Sequence, residues 1–592
     1  MAGWPASAIL ALVLAAPAAA QAPPTPLLTP PRPAAPAAAP ESGPPVRIPP
    51  AIGTPPTPLP QERGRTAPSP AVTARPLPAL DHESAGWSQA EGGLGPDLWR
   101  GSAWTAAAPL LERLSAPAGT PARHALARRL LMSAAARPDG APAGAFLERR
   151  LVRLLAVGDA AAAAALARAV PEARLDGPRA RPAAEAALLG GSAADACRRA
   201  RRADVDMADL FWRRLLVACD AIEGHGDRVR LGLDLLRDQG LDAGEAFTRL
   251  AEAAAGLGDK PATAAGLAAV EVALAIHAGV PAEPKALAAA PPAVAAAFAR
   301  ASALPPGVRL VAAEAAAGLG LVEPAVLAGL YAELPLPPER LADALSAAGG
   351  MPGADGRALL FQAARLEIVP GRRLERLAAG WDHAREHGAA LAFGAAAAPL
   401  VREMSPSVDL APHAAAAIRI ALAAGDGRTA MRWLAMIGQR PGDAGAMAAH
   451  AAAAPLVRLA LGEDGPAWNA EAAHRWTGAM GGPGSPRAAV GLALLAALGD
   501  LAASDEWIAL IEAPPGRTAA LPGAAAAVWF AQEAAARESR LGEQVALALL
   551  AVGRDAVPHP LAAFSALNGL RLAEQTGTAR RIAVEIALLA GL

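Results

Sequence analysis

The stretch "LLAVGDAAAAAALARAV", Leu154 to Val170, has the alanine and leucine content of one continuous helix, yet the pair Gly158-Asp159 interrupts it. Glycine readily takes the left-handed backbone conformation that ends a helix. Aspartate can then accept a hydrogen bond from a free backbone N–H at the start of the next helix. The stretch therefore predicts two helices joined by a tight turn.

Similar joints recur along the chain. Their spacing of about 33–40 residues is typical of an α-solenoid built from antiparallel helical hairpins. This period resembles that of tetratricopeptide repeats, although the full consensus of those repeats is absent. Since no run of alternating β-branched residues suggests a strand, we predict an all-α fold. The glycines of the joints are Gly158, Gly191, Gly226 and Gly258, and later Gly425, Gly462, Gly499, Gly542 and Gly577.

The bulk composition limits the possible functions. The chain has 592 residues, more than one compact core needs, so several domains or an extended repeat array are expected. Its formal net charge is −1. Such a chain has no overall basic field to attract nucleic acid or an acidic membrane surface.

The N-terminus predicts export. The apolar run "SAILALVLAAPAAA" ends in an Ala-x-Ala site at Ala20 and is too short to span a bilayer comfortably. Residues 1–20 are therefore interpreted as a signal peptide cleaved between Ala20 and Gln21, and the mature protein as periplasmic. The absence of Lys and Arg before the run leaves open an uncleaved anchor or a plain alanine-rich start. No transmembrane segment is expected in the mature chain.

Residues 21–80 have a different composition, because a third of them are proline. Proline removes backbone donors and fixes φ, so this segment is expected to be an extended, disordered linker. Helical patterning begins at about residue 81 and continues to the end. The glycine-rich loop "AAGGMPGADG", residues 347–356, suggests a boundary between two helical halves, 81–346 and 357–592.

The sharpest chemical motif is "HAREH", residues 383–387, which matches the H-x-x-E-H pattern of some zinc peptidases. His383 and His387 would share one helix face and bind the ion, with Glu386 as general base. Zinc also needs a third protein ligand, which no other stretch supplies. A solvated helix end is the competing interpretation, so His383 and His387 are only weak metal candidates and no metal site is predicted.

The pair Glu538-Ser539 resembles the Glu-Ser pair of soluble lytic transglycosylases, which are periplasmic and carry a large α-superhelical region. The resemblance implies a catalytic role for Glu538. However, the following stretch "RLGEQVALALLAVG" lacks the Gly-Leu-Met-Gln-like sequence of those enzymes. No catalytic residue is therefore predicted.

The chain has two cysteines, Cys197 and Cys219, on successive predicted helices. Cys219 shares a helix face with Trp212 and Leu216, so it is expected to point inward. In an oxidising compartment such a pair favours a structural disulfide, with two buried thiols as the alternative.

Four stretches resemble a set of uncharacterised exported alanine-rich proteins of α-proteobacteria, some of which are labelled antifreeze glycopeptides. They are "LWRGSAWTAAAPLLERL", "ALARRLLMSAA", "FWRRLLVAC" with "GLDLLRDQG", and the terminal "EIALLAGL". The tandem Ala-Ala-Thr units of antifreeze glycopeptides are absent. The resemblance implies a helical exported protein and carries no catalytic motif.

Together these features predict a non-enzymatic, exported helical-repeat scaffold that binds a protein or peptide partner of the cell envelope. No cofactor, nucleic acid or membrane span is expected. The alternative is a periplasmic enzyme, either lytic-transglycosylase-like or a zinc-dependent hydrolase. The sequence leaves the partner, the cellular process and the oligomeric state undetermined.

Overall fold

The computed structural model describes residues 82–500, except 203, 441, 483 and 484, and residues 523–592. In these ranges the chain folds into 28 α-helices with short 3-10 turns and no β-strand beyond three isolated bridges. The predicted all-α class is therefore confirmed. The cleavage site at Ala20 and Gln21 and the linker 21–80 lie outside the described residues.

The first nine helices follow one another closely, and from α2 onward each packs against the next. Leucines and alanines face inward along them, and most arginines and acids lie on the outer faces, although Arg123 and Arg150 are fully buried. The helices are α1 Trp104–Arg113, α2 Pro121–Met132, α3 Ala145–Ala156, α4 Ala160–Arg168, α5 Ala180–Leu189, α6 Ala193–Ala200, α7 Leu210–Ile222, α8 Gly226–Asp238 and α9 Glu245–Ala254.

Proline begins six of the next ten helices. A proline in the first turn costs no hydrogen bond, because that backbone N–H has no partner inside the helix. The proline-rich stretches of this region thus start helices as well as ending them. The helices are α10 Ala269–Ala278, α11 Pro284–Ala288, α12 Pro292–Arg300, α13 Pro306–Ala317, α14 Pro324–Glu333, α15 Pro338–Ala342, α16 Ala344–Ala348, α17 Ala354–Leu366, α18 Pro370–Glu386 and α19 Ala390–Arg402.

Of the last nine helices, the final one packs against four others, α20, α22, α24 and α27, and it also packs against α2. Seven consecutive residues of this last helix, 582–588, are buried, so it has no solvent-facing stripe over that stretch. The helices are α20 Ala414–Ala423, α21 Gly427–Gly438, α22 Ala444–Leu461, α23 Ala470–Ala479, α24 Pro486–Ala497, α25 Gly523–Arg537, α26 Leu541–Val552, α27 Pro560–Leu572 and α28 Thr576–Leu589.

The joint in the opening stretch is formed as predicted. Gly158 has φ 95°, and the Asp159 carboxylate accepts a hydrogen bond of 3.0 Å from the N–H of Ala162 in α4. The same arrangement occurs at Gly425, where Asp426 accepts a hydrogen bond from Thr429. At these joints, glycine conformation and aspartate capping account for the turn.

Four other predicted joints are wrong in position. The left-handed residue is Gly224 rather than Gly226, and Gly256 rather than Gly258. Gly542 lies in the first turn of α26, where an added Cβ would lie 2.7 Å from the indole of Trp99. Glycine is needed at this position because a side chain would clash with Trp99, and not because the backbone turns there. The adjacent turn is made by Ser539, with φ 54°.

At the fourth, Gly577 lies inside α28. The residue with positive φ before that helix is Glu574, at 58°. Glycine alone therefore does not locate the joint, because a non-glycine residue takes the left-handed position in these two turns. In this part of the chain, the positions of glycines therefore do not mark the predicted repeat.

The two ends of the described chain pack together. Helices α1 and α2 contact α26, and α2 also contacts α28. In an open solenoid each repeat contacts only its neighbours, so this closure goes beyond the predicted arrangement. The described residues belong to one compact unit.

The loop proposed as a boundary joins α16 to α17, and these helices share a small separate apolar cluster that includes Ala344, Ala348 and Leu359. The division into halves 81–346 and 357–592 stays a prediction.

Within residues 82–500 and 523–592, one helix is long and apolar enough to cross a membrane by length and composition, the stretch Ala444–Asp464. About a third of its most apolar window is buried in the fold. It packs against α20, α21, α23 and α28. The expectation that the mature chain has no membrane span stays a prediction.

Candidate functional site

The histidines of the HAREH motif lie at the C-terminal end of α18, with ring centroids 4.5 Å apart. Nε2 of His383 lies 3.0 Å from the carbonyl oxygen of Met351, and its Nδ1 lies 3.4 Å from a guanidinium nitrogen of Arg357. His387 donates from Nδ1 to the carbonyl oxygen of His383. Both ring nitrogens of His383 thus face protein groups, and in the described part of the chain no third ligand joins the pair.

His383 borders a buried polar network rather than a cleft. Tyr331 donates to Glu314 at 2.5 Å, and Arg357 forms a two-pronged ion pair with the same carboxylate. Burial raises the pKa of Tyr331 well above its usual value, and the charge of Glu314 adds to this effect. The network links α13, α14, α17 and α18, which is a packing role.

The second candidate pair is exposed. Glu538 forms an ion pair with Arg540 on the connection between α25 and α26. Ser539 occupies the left-handed position that ends α25. The local geometry therefore gives Ser539 a role in the turn and pairs Glu538 with Arg540 at the surface.

Cys197 and Cys219 are joined by a disulfide, with their Cα atoms 5.6 Å apart. Cys197 lies in α6 and Cys219 in α7, and both are buried. The neighbouring Ala196, Ala200 and Ala218 are also buried. Small side chains at this contact allow the two helices to approach closely enough for the bond.

A cluster that the sequence analysis missed lies just beyond this disulfide, at the turn between α7 and α8. Asp220, Glu223 and His225 bring their ligand atoms within 4.8 Å of one another. Arg201 occupies the cluster, since it donates two hydrogen bonds to Glu223 at 2.9 and 2.6 Å. Its guanidinium already supplies the positive charge that these carboxylates attract.

Among the described residues, an apolar cleft of about 250 Å³ lies between α5, α6, α7, α10 and α12 and is suited to bind an apolar group. Its walls are almost entirely aliphatic, and two glycines at the α5–α6 turn leave its mouth open. We call it the apolar cleft. Its lining residues are Leu188, Leu189, Gly190, Gly191, Ala193, Ile222, Ala273, Ile276, His277, Ala297, Arg300 and Ala301.

The disulfide fixes one wall of the apolar cleft. Ala193 lies one helical turn before Cys197 in α6, and Ile222 lies three residues after Cys219 in α7. Residues three or four apart share a helix face. The bond between the two cysteines therefore holds the two cleft-lining residues at a set separation.

Arg300 supplies a positive charge at the rim of the cleft. It donates one hydrogen bond to the carbonyl oxygen of Leu321, at 3.0 Å, and its side chain is exposed. Burial of part of the guanidinium lowers its pKa, but arginine stays protonated in proteins. His277 adds a second exposed polar group at the rim. The cleft can therefore accept an apolar group with a neighbouring anion.

Behind Arg300 lies a buried charged group that anchors α4. Asp159 is bound by His124, at 3.1 Å, and by Arg128. Burial alone would raise the pKa of Asp159, but the hydrogen bond from His124 and the charge of Arg128 outweigh it and lower the pKa to about 2. The turn that carries Gly158 is thereby held against α12, since an added Cβ at Gly158 would lie 2.6 Å from Pro292.

The sequence contained only part of this site. The glycines of "LLGGSA" and the two cysteines were recognised as a turn and a disulfide. The contact of α5 with α10 and α12 joins segments about a hundred residues apart, and no local pattern encodes it. No protein-family model matches the chain, and neither a curated protein nor a solved structure matches it significantly.

Proposed function

We propose that the protein is an exported, non-enzymatic helical scaffold, an α-solenoid in its stacking of hairpins, that binds a protein or peptide partner of the cell envelope. The observation that carries this proposal is the apolar cleft with Arg300 at its rim. Binding sites are typically concave and mostly apolar, with a few polar groups that orient the ligand. The cleft fits this description in its lining, and its volume of about 250 Å³ lies just below the usual range of about 300–1,000 Å³.

The chemistry of the cleft specifies the partner. An aliphatic or aromatic side chain would enter between Ile222 and Ile276, where water is displaced from apolar walls. A carboxylate beside it in the partner would pair with Arg300. The preferred segment is therefore an apolar residue flanked by Asp or Glu.

Export is supported by the N-terminal sequence and by the disulfide. Cysteine pairs are maintained as disulfides in oxidising compartments and are rare in the cytosol. The bond between Cys197 and Cys219 suits a periplasmic protein. The resemblance to exported alanine-rich proteins agrees with this location and stays a prediction.

The test compares a filled cleft with an intact one. Ala273→Trp places an indole in the cleft from its half-buried position in α10, whereas Ala325→Trp adds the same group at an exposed position of α14. Each variant is used to capture proteins from detergent-solubilised native envelope. Synthetic peptides from any captured protein are then titrated against the purified variants.

The proposal expects a partner that binds the wild type and Ala325→Trp but not Ala273→Trp, and that binds Arg300→Gln more weakly. Equal capture by all variants would contradict the assignment to the cleft. Circular dichroism and thermal unfolding confirm that both variants fold.

A further inference from the structure

Helices α15 and α16 form a small projection that lies on α17 and is held there by few buried side chains. No residue of α15 is buried, and α16 buries only Ala344 and Ala348. These alanines and the half-buried Leu336 and Leu341 form the small apolar cluster with α17 that is separate from the main core. Small and half-buried side chains remove little apolar area from water, so this cluster contributes little to the attachment. We call residues 335–353, which include both helices and most of the glycine-rich loop, the flap.

Two side chains from outside the flap hold the loop at its end. Arg357 in α17 donates to the carbonyl oxygen of Pro352, at 3.1 Å, and Nε2 of His383 lies 3.0 Å from the carbonyl oxygen of Met351. The loop fits closely here, since an added Cβ at Gly356 would lie 2.1 Å from that Met351 oxygen and 3.1 Å from the His383 ring. The imidazole of His383 is therefore one of the groups that keep the flap closed.

The partners of His383 determine which ring nitrogen carries the hydrogen. Its Nδ1 lies 3.4 Å from a guanidinium nitrogen of Arg357, and a guanidinium has donors only, so Nδ1 must accept. Nε2 therefore carries the hydrogen and donates to the carbonyl oxygen of Met351. A second proton can be added only at Nδ1, which faces the positive charge of Arg357. The closed position of the ring thus requires neutral His383.

The charges around the ring also oppose its protonation. Burial lowers the pKa of His383, and the charges of Arg357 and His387 lower it further. The acid facing this corner is Glu314 of α13, which offsets only part of the effect, because its carboxylate already pairs with Arg357 and accepts from Tyr331. The buried Tyr331 has a pKa well above its usual value and therefore stays neutral.

The other charged groups near His383 do not supply a free acid. On α18, Arg385 pairs with Asp382 at 3.8 Å and lies 3.9 Å from Glu386. Arg419 of α20 interacts with the same Asp382. From the flap, Arg340 of α15 reaches the sulfur of Met351, and α16 contains no charged residue. No carboxylate is thus available to stabilise a protonated His383 in the closed position.

We propose that the flap is a pH-sensitive lid, which stays closed on α17 while His383 is neutral and opens when His383 is protonated. Opening uncovers the side of α17 that carries Leu359 and Leu360, both buried in the apolar cluster. The closed flap binds fewer protons than the open one, so closure is complete above the ordinary histidine pKa of about 6.5 and weakens as the pH falls below it. One proton changes this equilibrium by at most about tenfold per pH unit. The device does not depend on export or on the apolar cleft.

The test is hydrogen exchange of the full chain at pH 7.5 and pH 5, with rates corrected for the intrinsic effect of pH. Protection of the flap should fall by about threefold or more at pH 5, whereas protection of the buried helix α19 should not change. His383→Gln keeps an uncharged donor for the carbonyl oxygen of Met351, so protection of the flap should become independent of pH. His387→Gln is the matched control, because it removes the neighbouring histidine, and it should keep the pH dependence.

A second measurement covers the case in which His383→Gln leaves the flap open at both pH values. The ring signal of His383 in the wild type, labelled with carbon-13 histidine and assigned by its loss in His383→Gln, is followed by NMR over the same pH range. Titration of this signal together with the loss of flap protection supports the proposal. Equal flap protection at both pH values, opening while His383 stays neutral, or an unchanged pH dependence in His383→Gln overturns it.

Discussion

The carboxylate of Glu585 accepts a hydrogen bond of 3.0 Å from the backbone N–H of Ala122, across 463 residues of sequence. Ala122 lies in the first turn of α2, whose N-terminal flanking residue, Thr120, makes no side-chain capping bond. The last helix therefore supplies the cap that α2 lacks. Burial raises the pKa of Glu585. The closed arrangement of the helices thus depends on a buried acid at the point where the chain ends meet.

The first prediction concerns this contact. Glu585→Leu should lower the free energy of unfolding by about 1–3 kcal/mol, because it leaves the buried N–H of Ala122 without an acceptor. Glu585→Gln keeps an acceptor oxygen, so it should lower the free energy of unfolding by less than Glu585→Leu does. Urea unfolding measures the difference, and hydrogen exchange should show faster exchange at the start of α2. Equal stability of both variants and the wild type would show that the contact does not hold the ends together.

The second prediction separates backbone strain from close packing. Gly158 and Gly191 both have positive φ, but an added Cβ would lie 2.6 Å from Pro292 at Gly158 and within 4 Å of nothing at Gly191. Gly191→Ala should therefore cost about 1 kcal/mol from backbone strain alone. Gly158→Ala should lower the free energy of unfolding by clearly more, because α12, which carries Pro292, must also move to make room for the methyl group. Thermal unfolding of the two variants decides, and a smaller effect at Gly158 would contradict the packing described.

The third prediction is a pH dependence. The pKa of Asp159 is lowered to about 2 in the folded protein, so its stabilising effect is present above the unfolded pKa of about 4 and is lost as the pH falls towards 2. The contribution is about 2 kcal/mol at neutral pH. Asp159→Asn should be less stable than the wild type at pH 7, and the gap should narrow to about half near pH 3. A gap that is constant between pH 7 and pH 3 would rule out this origin.

The fourth prediction concerns the disulfide. Replacing Cys197 and Cys219 by Ser should lower stability by about 3 kcal/mol, since the bond closes a loop of 22 residues. Hydrogen exchange should become faster only in α6 and α7. Partner binding in the apolar cleft should weaken. Titration of the denatured, unreduced wild type should find no free thiol. Two thiols per chain would contradict the bond.

Local features of the fold were predictable, because local physics determines them. Gly158 with Asp159, and Gly425 with Asp426, form the expected joints because left-handed glycine and aspartate capping act within a few residues. Gly542 does not form the expected joint, because Trp99, which lies more than 400 residues away in sequence, needs the space that a side chain would fill. A short pattern cannot distinguish a glycine that makes a turn from one that allows close packing.

The candidate site was less predictable for the same reason. Ile222, Ile276 and Arg300 belong to three helices whose contact depends on the path of the whole N-terminal region. The HAREH motif suggested chemistry from spacing alone, whereas the partners of His383 come from Met351 and Arg357 on other segments. Of the features predicted from the sequence, only the cysteine pair lies beside the cleft in the structure.

The central claim is that the apolar cleft binds a partner of the cell envelope. The most direct measurement is photo-crosslinking in native cells, with p-benzoylphenylalanine placed at Ile276 inside the cleft and, as a control, at the exposed Leu231 of α8. We expect a discrete crosslinked product at position 276 that is absent at position 231 and is lost when Ala273→Trp is added. No product at position 276, or the same product at both positions, would contradict it.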